Sequence, residues 1–308
     1  MFYNSVLDLI GNTPLVPIYH SGFKGALFAK LEGLNPGGSI KDRPALYMIR
    51  QALKSGDLQP GMTILEATSG NTGIGLALVG ALLHIPVHIV MSESASPERV
   101  KILRALNARI SFSPAELHTD GAIRLAEKIY SRSPEAYYRP DQFSNRAHRD
   151  IHARTTAKEI WNDLEGDIDA VIAGTGSTGT LMGLSSFFKT TQRKVRIIGV
   201  RPTQGEIIDG IKDIHSSMRP PLWDETQIHA LWDVSRREAI AAARRMIREE
   251  GIFAGISSGA LYAAFLQNQR TLWGKRVVLI LADNSFRYME SDLFDPSCIT
   301  ADALAPAV

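Results

Sequence analysis

Six short runs of mostly apolar residues recur along the chain, at Leu27–Glu32, Thr63–Glu66, Val87–Met91, Ala170–Ala173, Val195–Val200 and Val277–Leu281. Most are continuous rather than alternating, the pattern of a parallel strand covered by helices on both faces. Between them lie stretches with helical character, over Pro44–Lys54, Ile74–Leu83, Pro97–Leu106 and Ser235–Glu250. The last opens on Ser235 with Glu238 three residues on, a capping-box spacing, and stops at Gly251. Alternating strands and helices predict an open, doubly wound α/β fold whose ligands bind at the carboxyl ends of the strands. No repeat or low-complexity tract interrupts it. Met218–Asp224 reads as a loop and residues 285–308 as a tail or an edge.

A length of 308 residues is near the upper limit of a single core, which predicts one large domain or two intimate lobes. Thirty-four Lys and Arg against 32 Asp and Glu leave a formal charge of +2, which argues against a nucleic-acid or acidic-membrane surface. The single cysteine, Cys298, excludes a disulfide framework and any cysteine-based cluster. There is neither a long uncharged apolar run nor a basic-then-apolar leader, so a cytosolic protein without a membrane span is expected. The histidines show no ligand spacing beside a carboxylate cluster. His148 and His152 read as one helix face, and His84 and His88 as packing or surface, so no metal is expected.

Three Gly/Ser/Thr loops stand between a strand and a helix: Thr68–Gly73 (TSGNTG), Gly174–Gly179 (GTGSTG) and Gly255–Gly259 (GISSG). Such a turn aims backbone N–H groups and a positive helix end at one point, which suits a phosphate or carboxylate. The second loop has the glycine spacing of a dinucleotide site. The strand that follows, however, ends Val200-Arg201-Pro202 without the acidic residue such a site needs. None of the loops ends in the Gly-Lys-Ser/Thr of an ATP-binding loop. Lys41 follows a Pro-Gly-Gly-Ser turn at the start of a helical run. By position alone it is either a solvated charge or a desolvated amine able to form a Schiff base with a carbonyl cofactor.

The stretches IGNTPLV (Ile10–Val16), KLEGLNPGGSIKDRP (Lys30–Pro44), EATSGNTGIGLAL (Glu66–Leu78), AGTGSTGTLMG (Ala173–Gly183) and EGIFAGISSGA (Glu250–Ala260) occur in one order and spacing. Together they resemble the pyridoxal-phosphate-dependent cysteine synthase family, over roughly residues 5–290 and most closely its B branch. The resemblance implies a fold type II enzyme with two open, twisted, mostly parallel sheets. Residues 1–39 and 146–308 would form a large cofactor-binding lobe and residues 40–145 a small mobile one. It implies pyridoxal 5′-phosphate as cofactor, with Lys41 as the Schiff-base lysine and the acid/base at the substrate Cα. Gly176, Ser177, Thr178, Gly179 and Thr180 would cradle the phosphate, Asn71 would bond the 3′-oxygen, and Ser257 would face the ring nitrogen. Thr68, Ser69, Asn71, Thr72 and Gln142 would bind the amino-acid substrate. Ser258 would support its loop rather than touch the cofactor.

The implied reaction is a β-replacement on O-acetylserine or O-phosphoserine through an α-aminoacrylate, with a sulfur donor giving L-cysteine, in a homodimer. Lys212 falls where the O-phosphoserine branch carries a phosphate-binding cation, or else is a solvated lysine. An amine nucleophile giving a 2,3-diaminopropionate, or cysteine β-replacement releasing sulfide, would use the same residues. A non-catalytic binding relative would be expected to lack Lys41. The chain departs from the family pattern at Arg146-Ala147-His148, at Ala157-Lys158 and at Asn284-Ser285-Phe286. The resemblance puts those positions near the mouth of the site, where they bear on the second substrate more than on the cofactor.

Overall fold

The computed structural model describes residues 2–214 and 219–295, so Cys298 and part of the Met218–Asp224 loop lie outside the described residues. An antiparallel pair, β1 (Leu15–Ile18) and β2 (Ala26–Leu31), leads into α1 (Asp42–Ser55). A run follows of β3 (Thr63–Ala67), α2 (Asn71–Leu83), β4 (Val87–Ser92), α3 (Pro97–Ala105), β5 (Arg109–Ser113), α4 (His118–Tyr130) and β6 (Tyr137–Tyr138). Next come α5 (Arg146–Arg154), α6 (Thr156–Asp163), β7 (Ala170–Gly174), α7 (Gly179–Phe188), β8 (Arg196–Pro202) and β9 (Ala230–Val234). The chain finishes through α8 (Arg236–Glu250), α9 (Ile256–Asn268) and β10 (Arg276–Leu281). Two sheets result, ordered β1-β2-β10-β7-β8-β9 and β5-β4-β3-β6, and parallel except for the β1–β2 pair.

Alternate residues of the central strands serve opposite faces of the larger sheet. Ala170, Ile172, Val277 and Leu279 belong to a core shared with α8 and α9, whereas Val171, Ala173, Val278 and Ile280 pack with α6 and α7. The smaller sheet divides in the same way, Ile64, Ile89 and Met91 packing with α1 and α2, and Leu65, Ala67 and Val90 with α4. All six expected strands and all four expected helices are present, and the capping box is formed: Ser235 Oγ accepts from the Glu238 amide while Glu238 accepts from the Ser235 amide. β1, β5, β6 and β9 were not expected; all four are sheet edges, and β6 is only a partly exposed pair of residues. The stretch after β10 is not a loose tail up to Asp295. It makes turns at Ser285–Tyr288 and Asp292–Phe294 that bury Ser285, Tyr288 and Leu293. Among the described residues no helix is long and apolar enough to cross a membrane.

Candidate active site

The loops that follow β2, β3, β7, β8 and β10 all leave the carboxyl ends of parallel strands, where such sheets bind ligands. Lys41 is the residue immediately before α1, and its place is set by a buried ionic network. The Arg43 guanidinium donates to both oxygens of Glu32, each at 2.7 Å, and to both oxygens of Glu159, at 2.6 and 2.7 Å. Lys30 donates to the Thr13 carbonyl at 2.6 Å and pairs with Glu159 at 2.9 Å. Asn35 closes the knot by accepting from the Gly11 amide at 2.8 Å. Burial opposes ionisation of Glu159, but Arg43 and then Lys30 overcome it and pull the carboxyl down to about 2.

Beyond this knot the Lys41 side chain reaches the loop after β7, with Nζ 3.5 Å from the Ser177 hydroxyl. Burial lowers its amine to about 8, against a smaller opposing pull from Asp283. A cavity of about 40 Å³ collects Lys41, Gly176, Ser177, Thr178, Thr180 and Ser257, which were assigned to the cofactor, while Gly179 stands beside it at the start of α7. Backbone crowding shapes this wall. A Cβ on Gly176 would lie 2.7 Å from the Gly210 carbonyl oxygen, and Thr178 holds a φ of 66°, strained for a β-branched residue. Thr178 Oγ1 is buried without a hydrogen-bond partner, at the N-terminus of a ten-residue helix. An orphaned hydroxyl, a helix N-terminus and a desolvated amine together fit a ligand carrying both a phosphate and a reactive carbonyl. Ser258 is fully buried and its hydroxyl too lacks a partner.

The residues assigned to substrate sit elsewhere. A cavity of about 660 Å³ is lined by Ser69, Asn71, Arg99, Phe143, Asp209 and Lys212, among others. Thr72 donates to Gln142 Oε1 at 2.6 Å, which leaves the NH₂ end of that amide to donate, and Thr68 accepts from the Gly70 amide at 3.2 Å. Lys212 lies 4.0 Å above the Phe143 ring, and burial lowers its pKa. Asn71 lines the larger cavity and not the smaller one. Its amide donates to Asp283 at 2.7 Å and accepts from Arg287 at 2.7 Å. Tyr288 also donates to Asp283, at 2.8 Å. Burial raises the Asp283 carboxyl against those hydrogen bonds.

Sequence reasoning missed several residues here. His148 and His152 do share a helix face, but that face turns inward. His152 is fully buried, with Nδ1 at 2.9 Å from Thr156 Oγ1 and Nε2 at 3.3 Å from Thr180 Oγ1. Their spacing of four was the available signal; the polar sequence around them concealed which way the face turned. The departures are also not all at the mouth: Ala157 is in the core, Arg146 and Lys158 are exposed, and His148 lies under the loop after β7. Exposed Phe286 stacks on Phe253. Asp283, Arg287 and Tyr288 had only the late motif to mark them.

A family model described as pyridoxal-phosphate dependent enzyme matches residues 6–283. Cysteine synthase B of Pseudomonas aeruginosa is 38% identical over 296 residues, covering 96% of this chain and 98% of the other. Cysteine synthase A of Escherichia coli is 40% identical over 302 residues, covering 92% and 93%. Among solved structures, O-ureido-L-serine synthase superposes with a TM-score of 0.90 at 34% identity over 96% of each chain. Cysteine synthase from Entamoeba histolytica gives 0.90 at 32% identity, over 96% of this chain and 91% of that one.

Proposed function

We propose, for a chain that belongs to the pyridoxal-phosphate-dependent enzyme family, that it carries out a β-replacement on an activated L-serine, with a sulfur nucleophile giving L-cysteine. The observation that carries this reading is the Lys41 amine, lowered to about 8 and facing the loop after β7 across a small cavity. When bound, pyridoxal 5′-phosphate supplies an aldehyde for amines and an electron sink for the charge left at the substrate Cα. Gly176, Ser177, Thr178, Gly179 and Thr180 would hold its phosphate, and Ser257 its ring nitrogen. A serine hydroxyl does not protonate a pyridine as a carboxylic acid would, which suits elimination better than transamination.

Lys41 Nζ takes and returns the proton at Cα, a task suited to an amine whose pKa is near the working pH. Thr68, Ser69, Thr72 and the NH₂ end of Gln142 orient the substrate carboxylate, with Asn71 at the same strand end. Lys212 lines the cavity that receives the leaving group, as acetate or phosphate. Movement of the small lobe, residues 40–145, toward the rest would keep water from the reacting carbon. We read the protein as a cytoplasmic homodimer, in line with the family resemblance. A second reading, with a different nucleophile on the same residues, is favoured by the likeness to O-ureido-L-serine synthase.

Visible absorbance of the purified protein tests the half-reaction that both share, and loss of the shifted band on adding sulfide tests the first reading against the second. A yellow band that moves to longer wavelength with O-acetylserine or with O-phosphoserine identifies the donor, and Lys41→Ala should abolish the band and turnover. A Lys41→Ala protein that keeps turning over sinks the mechanism.

A further inference from the structure

His148 on α5 is fully buried, and both ring nitrogens are engaged. Nδ1 lies 2.9 Å from the Gln142 carbonyl oxygen, and Nε2 lies 3.2 Å from the Ser177 hydroxyl. A carbonyl oxygen only accepts, so Nδ1 carries the proton. Burial, and then the charge of Lys41, lowers the imidazole to about 3, so the ring is neutral and Nε2 presents a lone pair. The Ser177 hydroxyl hydrogen therefore turns toward His148, which leaves the oxygen lone pairs for Lys41 Nζ at 3.5 Å.

The place is shaped for an imidazole: a Cβ on Gly179 would overlap His148 Cδ2. The groups facing this line are few. Asp283, after β10, acts on Lys41; Lys41 acts on His148; and His148, Lys41 and Arg43 act on His152. His152 itself is lowered well below its ordinary value by burial, so it adds no competing positive charge.

We propose that His148 is a positioning residue for Lys41, acting through Ser177: it fixes the rotation of the Ser177 hydroxyl so that an oxygen lone pair accepts from the lysine amine. It also ties the carbonyl of Gln142, whose side chain is assigned to the substrate carboxylate, to the loop assigned to the cofactor phosphate. The inference rests on Lys41 being the reacting lysine, and it assigns to one of the chain's own departures a role on the cofactor side of the site.

The test reads Lys41 directly, in the full-length protein freed of cofactor. Reductive methylation across pH, followed by mass spectrometry of the Lys41 peptide, gives the midpoint at which the amine becomes reactive. A fixed acceptor favours the ammonium form, so His148→Asn, too short to span both partners, should lower the midpoint by about half a pH unit, roughly threefold in free amine. Ser177→Ala should do the same, and the double variant should add nothing to Ser177→Ala. An unmoved midpoint in His148→Asn overturns the proposal, as does a His148→Asn shift that persists on the Ser177→Ala background.

Should His148→Asn not fold, nitrogen-15 spectra of the wild-type histidines decide. A His148 ring protonated at Nδ1 and bare at Nε2 supports the proposal, and the opposite tautomer overturns it. A yellow band retained by Lys41→Ala would instead sink the reading of Lys41 itself, whichever way the midpoints fall.

Discussion

Glu159→Gln tests the ionic knot that sets Lys41. Its side chain is 13% exposed and meets Arg43 at 2.6 Å and Lys30 at 2.9 Å. The native carboxyl falls from 4.5 to about 2, with burial opposing the change and Arg43 and Lys30 driving it. That difference corresponds to about 3 kcal/mol of stability for the ionised form. The folded pKa lies below the unfolded one, so this contribution is full above pH 4.5 and is lost as pH falls toward 2. Glu159→Gln keeps the shape and one of the two accepting oxygens, turns the other into an NH₂ group facing a donor, and loses the charge, so buried Lys30 and Arg43 are left less compensated. Urea midpoints across pH should show the variant about 3 kcal/mol less stable at neutral pH, and the gap should shrink by about 2 kcal/mol by pH 3. A gap that stays constant with pH, or one below about 1 kcal/mol at neutral pH, would refute the reasoning.

Two further substitutions separate the site from the scaffold. Gly176→Ala drives a methyl against the Gly210 carbonyl, so titration of the cofactor-free protein with pyridoxal 5′-phosphate should show affinity weakened roughly tenfold or more, in line with overpacking costs of about 1–3 kcal/mol. Affinity within twofold of the wild type would mean that the loop yields freely. Ser235→Ala removes one arm of the capping box and should cost about 1 kcal/mol in urea unfolding while leaving the visible band unchanged. An unchanged midpoint would show that the α8 cap is redundant.

The central strands were legible because a strand buried on both faces has no choice but to be apolar throughout, as the AVIA and VVLIL runs are. Edge strands escape that constraint: Arg109–Ser113 carries polar residues on a partly exposed edge, and Leu15–Ile18 tolerates Pro17 beside β2. The strand-to-helix turns at residues 68–73 and 174–179 could be read because glycine and hydroxyl residues after a strand have a backbone meaning. The support around them could not. Arg43, Glu32 and Glu159 form one knot across 127 residues of chain, and nothing local to any of them announces the others. Asp283 and Arg287 reach Asn71 across still longer gaps of 212 and 216 residues. His148 looked like an altered rim residue because its neighbours Arg146 and Arg149 are polar, whereas its own side chain packs inward.

β10, built from residues 276–281, lies between β2 and β7, in the interior of the six-stranded sheet. A chain emerging from the ribosome can complete the four-stranded sheet from one contiguous stretch, residues 63–138. The larger sheet has no such option. Until its last strand has been synthesised, β2 has no parallel neighbour and β7 presents a bare edge, the kind of surface that recruits other nascent chains. The order of translation thus leaves the cavity beside Lys41 waiting on a strand that begins 235 residues after it.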